Sequence, residues 1–219
     1  VPDVNWPSDN DLEIPTLSLK YVAKAPSLPM VKWGEISRKA KMQGTWHFYV
    51  EDHKFMSLVN DPTGPLQSGA ENCVEVNFSV TDETPVAWII AQTFRKRWLA
   101  RYWQSQGMRV IADLNVNEKG VEINRIGIPQ GWTAWSTRGY SDNLDGIKKD
   151  YEIATEICGH NDDDKGFFFM IYGGGKAVQA LAAELGAFWF PERLQEVSSG
   201  KIVSGLGLKV RPEEYEDLQ

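Results

Sequence analysis

The sequence is poor in the residues that usually announce chemistry. It has two cysteines, Cys73 and Cys158, in no CxxC spacing, which excludes a disulfide framework and a zinc-ribbon pattern. Both are expected as small core residues in a reducing compartment. The three histidines, His47, His53 and His160, are scattered, and neither HExxH, a His/Cys cluster nor a GxSxG elbow occurs, so no metal site is expected. No apolar run approaches the roughly 18 residues of a transmembrane helix, and no signal peptide is visible; a soluble cytoplasmic protein is expected. Basic charge is also short: 23 Lys and Arg face 30 Asp and Glu, a net charge of −7. That argues against a generic DNA-coating protein, while leaving room for a local basic patch.

Hydrophobic residues and aromatics are present in quantity. The 219 residues are 42% hydrophobic, enough for a sizeable core in one domain. Nine tryptophans are many for this length, several in polar, basic or Gly-rich company. Large aromatics of this kind supply core or a ligand surface.

The strongest local signal is the stretch from Thr84 to Gly107. Thr84 as cap, Pro85 at the first helical position and Gly107 just past the end predict one long helix. Ala87, Ile90, Ala91, Phe94, Trp98 and Tyr102 make an apolar stripe at helical spacing, which predicts the buried face; Gln92, Lys96 and Trp103 fall on the other side. Arg101 lies inside the apolar arc and Arg97 at its edge. A guanidinium there needs a carboxylate, a phosphate or an aromatic face, so it is either paired to an acid or aimed at an anion.

Around this helix the chain divides into three parts. Residues 1–45 carry Pro2, Pro7, Pro15, Pro26 and Pro29 and read as an irregular, extended arm, with a basic window from Val31 to Met42. Residues 46–191 read as an α/β domain. Strands are expected at Trp46–Val50, Cys73–Ser79, Met108–Leu114, Trp132–Thr137, Gly166–Tyr172 and Ala187–Phe190. Helices are expected at Asp52–Asn60, Asp142–Cys158 and Lys176–Leu185, a loop at Thr63–Gly69 and a short element at Val121–Ile126. His160–Asp164 reads as an acidic loop and 192–219 as a Gly- and charge-rich tail. Alternating strands and helices imply a largely parallel sheet of βα units, an open sheet or a partial TIM-like barrel.

In such folds ligands bind outside the carboxyl ends of the strands. That rule selects Asn77 and Ser79; Asp113 and Asn115; Ser136, Thr137, Arg138, Gly139 and Tyr140; and Tyr172 through Lys176. Asp113, ending a buried strand, is a general-base or ligand candidate or else neutralises Arg97, Arg101 or Arg138. Arg138 is the second catalytic candidate. Gly173, Gly174, Gly175 and Lys176, entering a helix, can hold an anion with Arg138 or simply allow a close turn. The loop is neither a Walker A motif nor GxGxxG, because the spacing differs and Ala177 follows the lysine.

Several of these segments resemble the DUF4417 family of phage, plasmid and integrated-element proteins. The match is carried by Asn77-Phe78-Ser79, the Phe94–Gln104 run, Gly127-Ile-Pro-x-Gly131, Ser136-Thr-x-Gly139 and Tyr172-Gly173, across roughly residues 47–190. Arg95, Arg97, Trp98, Tyr102 and Trp103 match the family helix, whereas Arg101 departs from its small residue. The resemblance implies no assigned activity; it implies a mobile-element protein in the host cell, serving replication, transcription or host takeover. Arg95, Lys96, Arg97 and Arg101 interleaved with Trp103 then suggest single-stranded nucleic-acid binding. The competing expectation is a binding protein or enzyme acting on a nucleotide or other phosphate-bearing molecule at the strand ends. A third is an assembly component that docks on a protein partner or a second copy of itself. No particular cofactor is implied.

Overall fold

In the computed structural model the described residues are 4–35, 44–159 and 166–192, with short strands at 195–196, 202–203 and 208–209. Seven parallel strands follow one another in chain order: β1 (Met30–Lys32), β2 (Thr45–His47), β3 (Asn72–Val74), β4 (Arg109–Asp113), β5 (Ala134–Arg138), β6 (Phe168–Tyr172) and β7 (Phe188–Phe190). Each pairs with the next, and the sheet curls into a nearly closed barrel. Of the three short strands, β8 (Gln195–Glu196) pairs with β9 (Ile202–Val203), and β10 (Leu208–Lys209) runs antiparallel on β7. The helices are α1 (Gly64–Gln67), α2 (Val86–Ser105), α3 (Val121–Arg125), α4 (Leu144–Cys158) and α5 (Gly175–Glu184).

The period of two along each strand separates two environments. Met30, Val74, Ile111, Ala134, Phe168, Met170, Tyr172 and Phe190 pack together inside the barrel. The alternate positions, such as Val110, Ala112, Trp135, Phe169 and Ile171, pack outward beneath α4 and α5 through Ile147, Ala154, Val178 and Leu181. The interior is filled by side chains, as in other small parallel barrels. His47 on β2 meets Tyr172 on β6 with ring centroids 4.1 Å apart across it.

Asp52–Asn60, expected as one helix, forms two short 3-10 turns, Asp52–Lys54 and Met56–Val59, and three further local expectations change. Met30–Lys32, inside the stretch read as irregular, forms β1, because Met30 and Val31 are buried against β2 despite the surrounding prolines. Gly64–Gln67, read as loop, closes one helical turn with Pro65 near its start, where its missing N–H is harmless. The third concerns the orientation of α2. The helix ends before Gly107, as expected, but it begins at Val86 with Pro85 rather than Thr84 at the N-cap and no side-chain cap, and its inward face is not the one expected. Ile89, Gln92, Thr93, Lys96, Ala100 and Trp103 face the barrel, while of the expected stripe Ala87 is exposed, Ile90, Ala91, Phe94 and Tyr102 are partly buried and only Trp98 is buried. Two of the polar groups so buried have partners: Gln104 accepts from Ser18 N and donates to Ser18 O, and Lys96 reaches the end of β4. Each such bond removes the penalty that makes a buried polar face unfavourable.

The N-terminal segment straps the outside of this arrangement. Trp98 Nε1 donates to Val4 O, Trp6 packs on Trp98 at 6.3 Å, and Arg101 lies over the Trp6 ring at 5.4 Å. Leu17 N donates to Gly127 O. A Cβ at Gly127 would sit 2.4 Å from Pro15 O, and its φ is +81°, so the crossing requires glycine there.

Candidate ligand site at the barrel mouth

A cavity of about 590 Å³ opens at the carboxyl ends of the strands. Its wall comes from nearly every strand: Lys32 from β1, Tyr49 after β2, Asn77 after β3, Asn115 after β4, Arg138 and Tyr140 from β5 and its loop, and Tyr172 from β6. The period of two that fills the barrel also points Tyr49, Asp113, Ser136 and Tyr172 inward at the top layer.

Asp113 stands under this cavity and is fully buried. Its Oδ1 accepts from Tyr49 Oη at 2.9 Å and Asn115 N at 3.2 Å; its Oδ2 accepts from Lys96 Nζ at 2.7 Å and Asn77 Nδ2 at 3.0 Å. Lys96 Nζ also donates to Asp113 O and to Asn124 Oδ1. Tyr49 Oη lies 2.7 Å from Ser136 Oγ. Burial, and then the Asp113 charge, hold the Tyr49 phenol well above its usual range, so it stays protonated as a donor. A second buried pair, Arg97 with Glu75, lies alongside. Arg97 also donates to the carbonyls of Asn124 and Ile126, and Glu75 Oε2 accepts from Asp113 N.

These networks explain the basic residues of α2. Lys96 and Arg97 point at the barrel because acids await them at the ends of β3 and β4. The basic and aromatic residues expected to form one stacking platform are therefore separated. Lys96, Arg97 and Trp103 are buried, Trp103 against Phe48 with its Nε1 donating to Pro62 O, while Arg95 and Arg101 remain partly exposed. The basic residue that Asp113 neutralises is Lys96, not Arg97, Arg101 or Arg138.

Arg138 does line the mouth, over the Tyr140 ring and 3.7 Å from Glu192, with its Nε buried and unpartnered among the described residues. In the 173–176 loop Gly173 and Gly174 pack closely, whereas a Cβ at Gly175 would meet nothing within 4 Å. Gly139 N donates to Tyr172 O, and a Cβ at Gly174, whose φ is +82°, would lie 2.3 Å from Val178. Lys176 is exposed, and none of the four lines the cavity. His160–Asp164 and most of the basic window and the tail lie outside the described residues.

Sequence reasoning missed Tyr49, Asn143 and Asp150, and met Lys32 only as part of the basic window Val31–Met42. The alternation of His47 and Tyr49 in the strand Trp46–Val50 was the available signal, because it puts both on one face. His47 is buried in the barrel, and burial, then the charges of Lys32 and Arg138, lowers its pKa to about 3. Asp150, on α4, accepts from Thr137 Oγ1 at 2.6 Å, and burial raises its pKa to about 7. Among the described residues no group of three His, Cys, Asp or Glu is placed to hold a metal ion, and no helix is long and apolar enough to cross a membrane.

The chain is similar to two mycobacteriophage proteins, each called Gene 1 protein. It is 30% identical over 112 residues to that of phage D29, covering 49% of this chain and 41% of the relative. It is 34% identical over 76 residues to that of phage L5, covering 33% of this chain and 32% of the relative. It thus spans less than half the length of the relatives it matches. No solved structure matches. The family described as Domain of unknown function (DUF4417) matches residues 6–168, from the N-terminal strap to the start of β6 and so further toward the N-terminus than the resemblance over 47–190 suggested: the chain belongs to the DUF4417 family.

Proposed function

We propose that the protein binds a nucleotide or another phosphate-bearing small molecule at the barrel mouth. One observation carries this reading: the 590 Å³ cavity gathers Lys32, Arg138, Tyr172 and the amides of Asn77 and Asn115 at the strand ends, within the size range of ligand pockets. Lys32 and Arg138 supply charge for an anion, Arg138 with a buried Nε still free to donate among the described residues. Asp113 is a positioning residue here. Its carboxylate already accepts four hydrogen bonds and holds Tyr49, Asn77 and Asn115 in place.

The test is a thermal-shift titration with inorganic phosphate and nucleoside monophosphates. A ligand at 100 times its Kd adds about 2.7 kcal/mol, or roughly 5–11 °C in Tm for a domain of this size. Arg138→Ala and Lys32→Ala should each shrink that rise. No rise with any of these ligands, or a rise that both variants leave intact, overturns the reading.

A second reading, a replication or transcription accessory that contacts single-stranded nucleic acid, keeps one supporting observation. Arg95 lies over the ring of Trp88, which is 49% exposed, at 5.4 Å. Anisotropy with labelled single strands across a salt series tests it, and binding unaffected by Trp88→Ala removes it.

A further inference from the structure

A second cavity of about 560 Å³ adjoins the mouth, between the loop after β4, α3 and α4. The two share Asn115, Val116, Asn117, Arg138, Tyr140 and Asn143 as walls, so they are two chambers of one cleft. Their chemistry differs. The mouth carries Lys32, Lys54 and Arg138, with Lys54 paired to Glu51 and Arg138 near Glu192. The side chamber carries Glu118, Glu122, Asp145 and Asp150 against Arg138 and Lys149, and Lys149 is itself 3.4 Å from Glu118. One end thus favours an anion and the other is rich in hydrogen-bond acceptors.

We propose that this cleft takes a nucleotide whose base bears an exocyclic amino group, with the phosphate at Lys32 and Arg138 and the amino edge of the base at Asp150. The proposal rests on the mouth binding a phosphate. Asp150 is the one carboxylate of the side chamber set against the sheet: Thr137 occupies its Oδ2, and its Oδ1 has no partner among the described residues. Burial, with the Asp113 charge adding to it, makes this carboxyl hold its proton to about pH 7. An amino donor adds a hydrogen bond to the carboxylate and so favours the ionised form. Asn117 Oδ1, on the shared wall, is a buried acceptor without a partner among the described residues. Tyr140, 40% exposed between the chambers, offers a ring against which a base can stack.

The simplest alternative is that Asp150 only ties α4 to β5 through Thr137. Base preference separates the two, because a structural tie would not alter it. Calorimetric titration of the full chain would compare cytidine with uridine monophosphate, guanosine with inosine monophosphate, and inorganic phosphate alone. The amino-bearing member of at least one pair should bind about tenfold more tightly, the scale of one hydrogen bond to a charged group. Asp150→Ala should erase the preference within each pair while phosphate alone still binds. Asp150→Asn, which keeps an acceptor for Thr137, should reduce it and serves if the alanine variant does not fold. Arg138→Ala should weaken both members equally. Equal affinity within both pairs while phosphate still binds overturns this proposal and leaves the mouth reading standing. No binding of phosphate or of any nucleotide overturns both.

Discussion

Replacing Asp150 with asparagine should stabilise the protein, and increasingly so as pH rises from 4 to 7. Burial raises the folded pKa of Asp150 from 3.8 to about 7. The fold therefore binds the proton that the unfolded chain releases. The sign follows from linkage: between pH 3.8 and 7 the folded state holds more protons, so stability falls as pH rises, and above about 7 the whole cost is present. A shift of roughly three units corresponds to a ceiling of about 4 kcal/mol at 1.36 kcal/mol per unit. The side chamber is open to water and Thr137 already donates to the carboxylate, so we expect about half, ~2 kcal/mol. Asparagine is neutral at every pH and can keep the Thr137 hydrogen bond. Parent and variant should thus melt together near pH 4 and separate by roughly 4–8 °C at pH 8, at 2–4 °C per kcal/mol for a domain of this length. Thermal denaturation of both proteins from pH 4 to 8 reads this directly. A difference that does not change with pH, or a variant less stable than the parent at pH 8, would refute the burial argument for Asp150.

Two further predictions concern α2. Trp103→Ala should cost about 3–5 kcal/mol in chemical denaturation, because a fully buried indole stacked on Phe48 leaves a cavity and an unpaired Pro62 carbonyl. A silent substitution would return Trp103 to the surface. Arg97→Met should cost about 3–5 kcal/mol by leaving Glu75 charged and unpaired, and adding Glu75→Leu should restore much of it. Equal losses in the single and double variants would mean that the pair is not the determinant.

Residue pattern alone carried much of the architecture. The βα alternation was legible because a strand between helices must be apolar on both faces, as Met108–Leu114 is. The helix from Val86 to Ser105 was legible from its proline and glycine boundaries. The rule that ligands bind at strand carboxyl ends then named Asn77, Asp113, Asn115, Arg138 and Tyr172 as neighbours, and they do surround one mouth or its floor. Lys32 was legible only as part of a basic window, and its strand stayed hidden because three residues among prolines have too little periodicity to register.

What only the tertiary structure decided is which face of α2 turns inward. Hydrophobic spacing assigns the apolar stripe to the core because it counts each side chain's own transfer energy. That count omits the partner. Glu75 and Asp113, brought to the ends of β3 and β4, offset the burial of Arg97 and Lys96, and those contacts span 22 and 17 residues of chain. The sequence determined the elements and their order, since both depend on local spacing and end signals. The site's charges were assigned by closure of the sheet, since pairing energy exists only once distant groups are in contact.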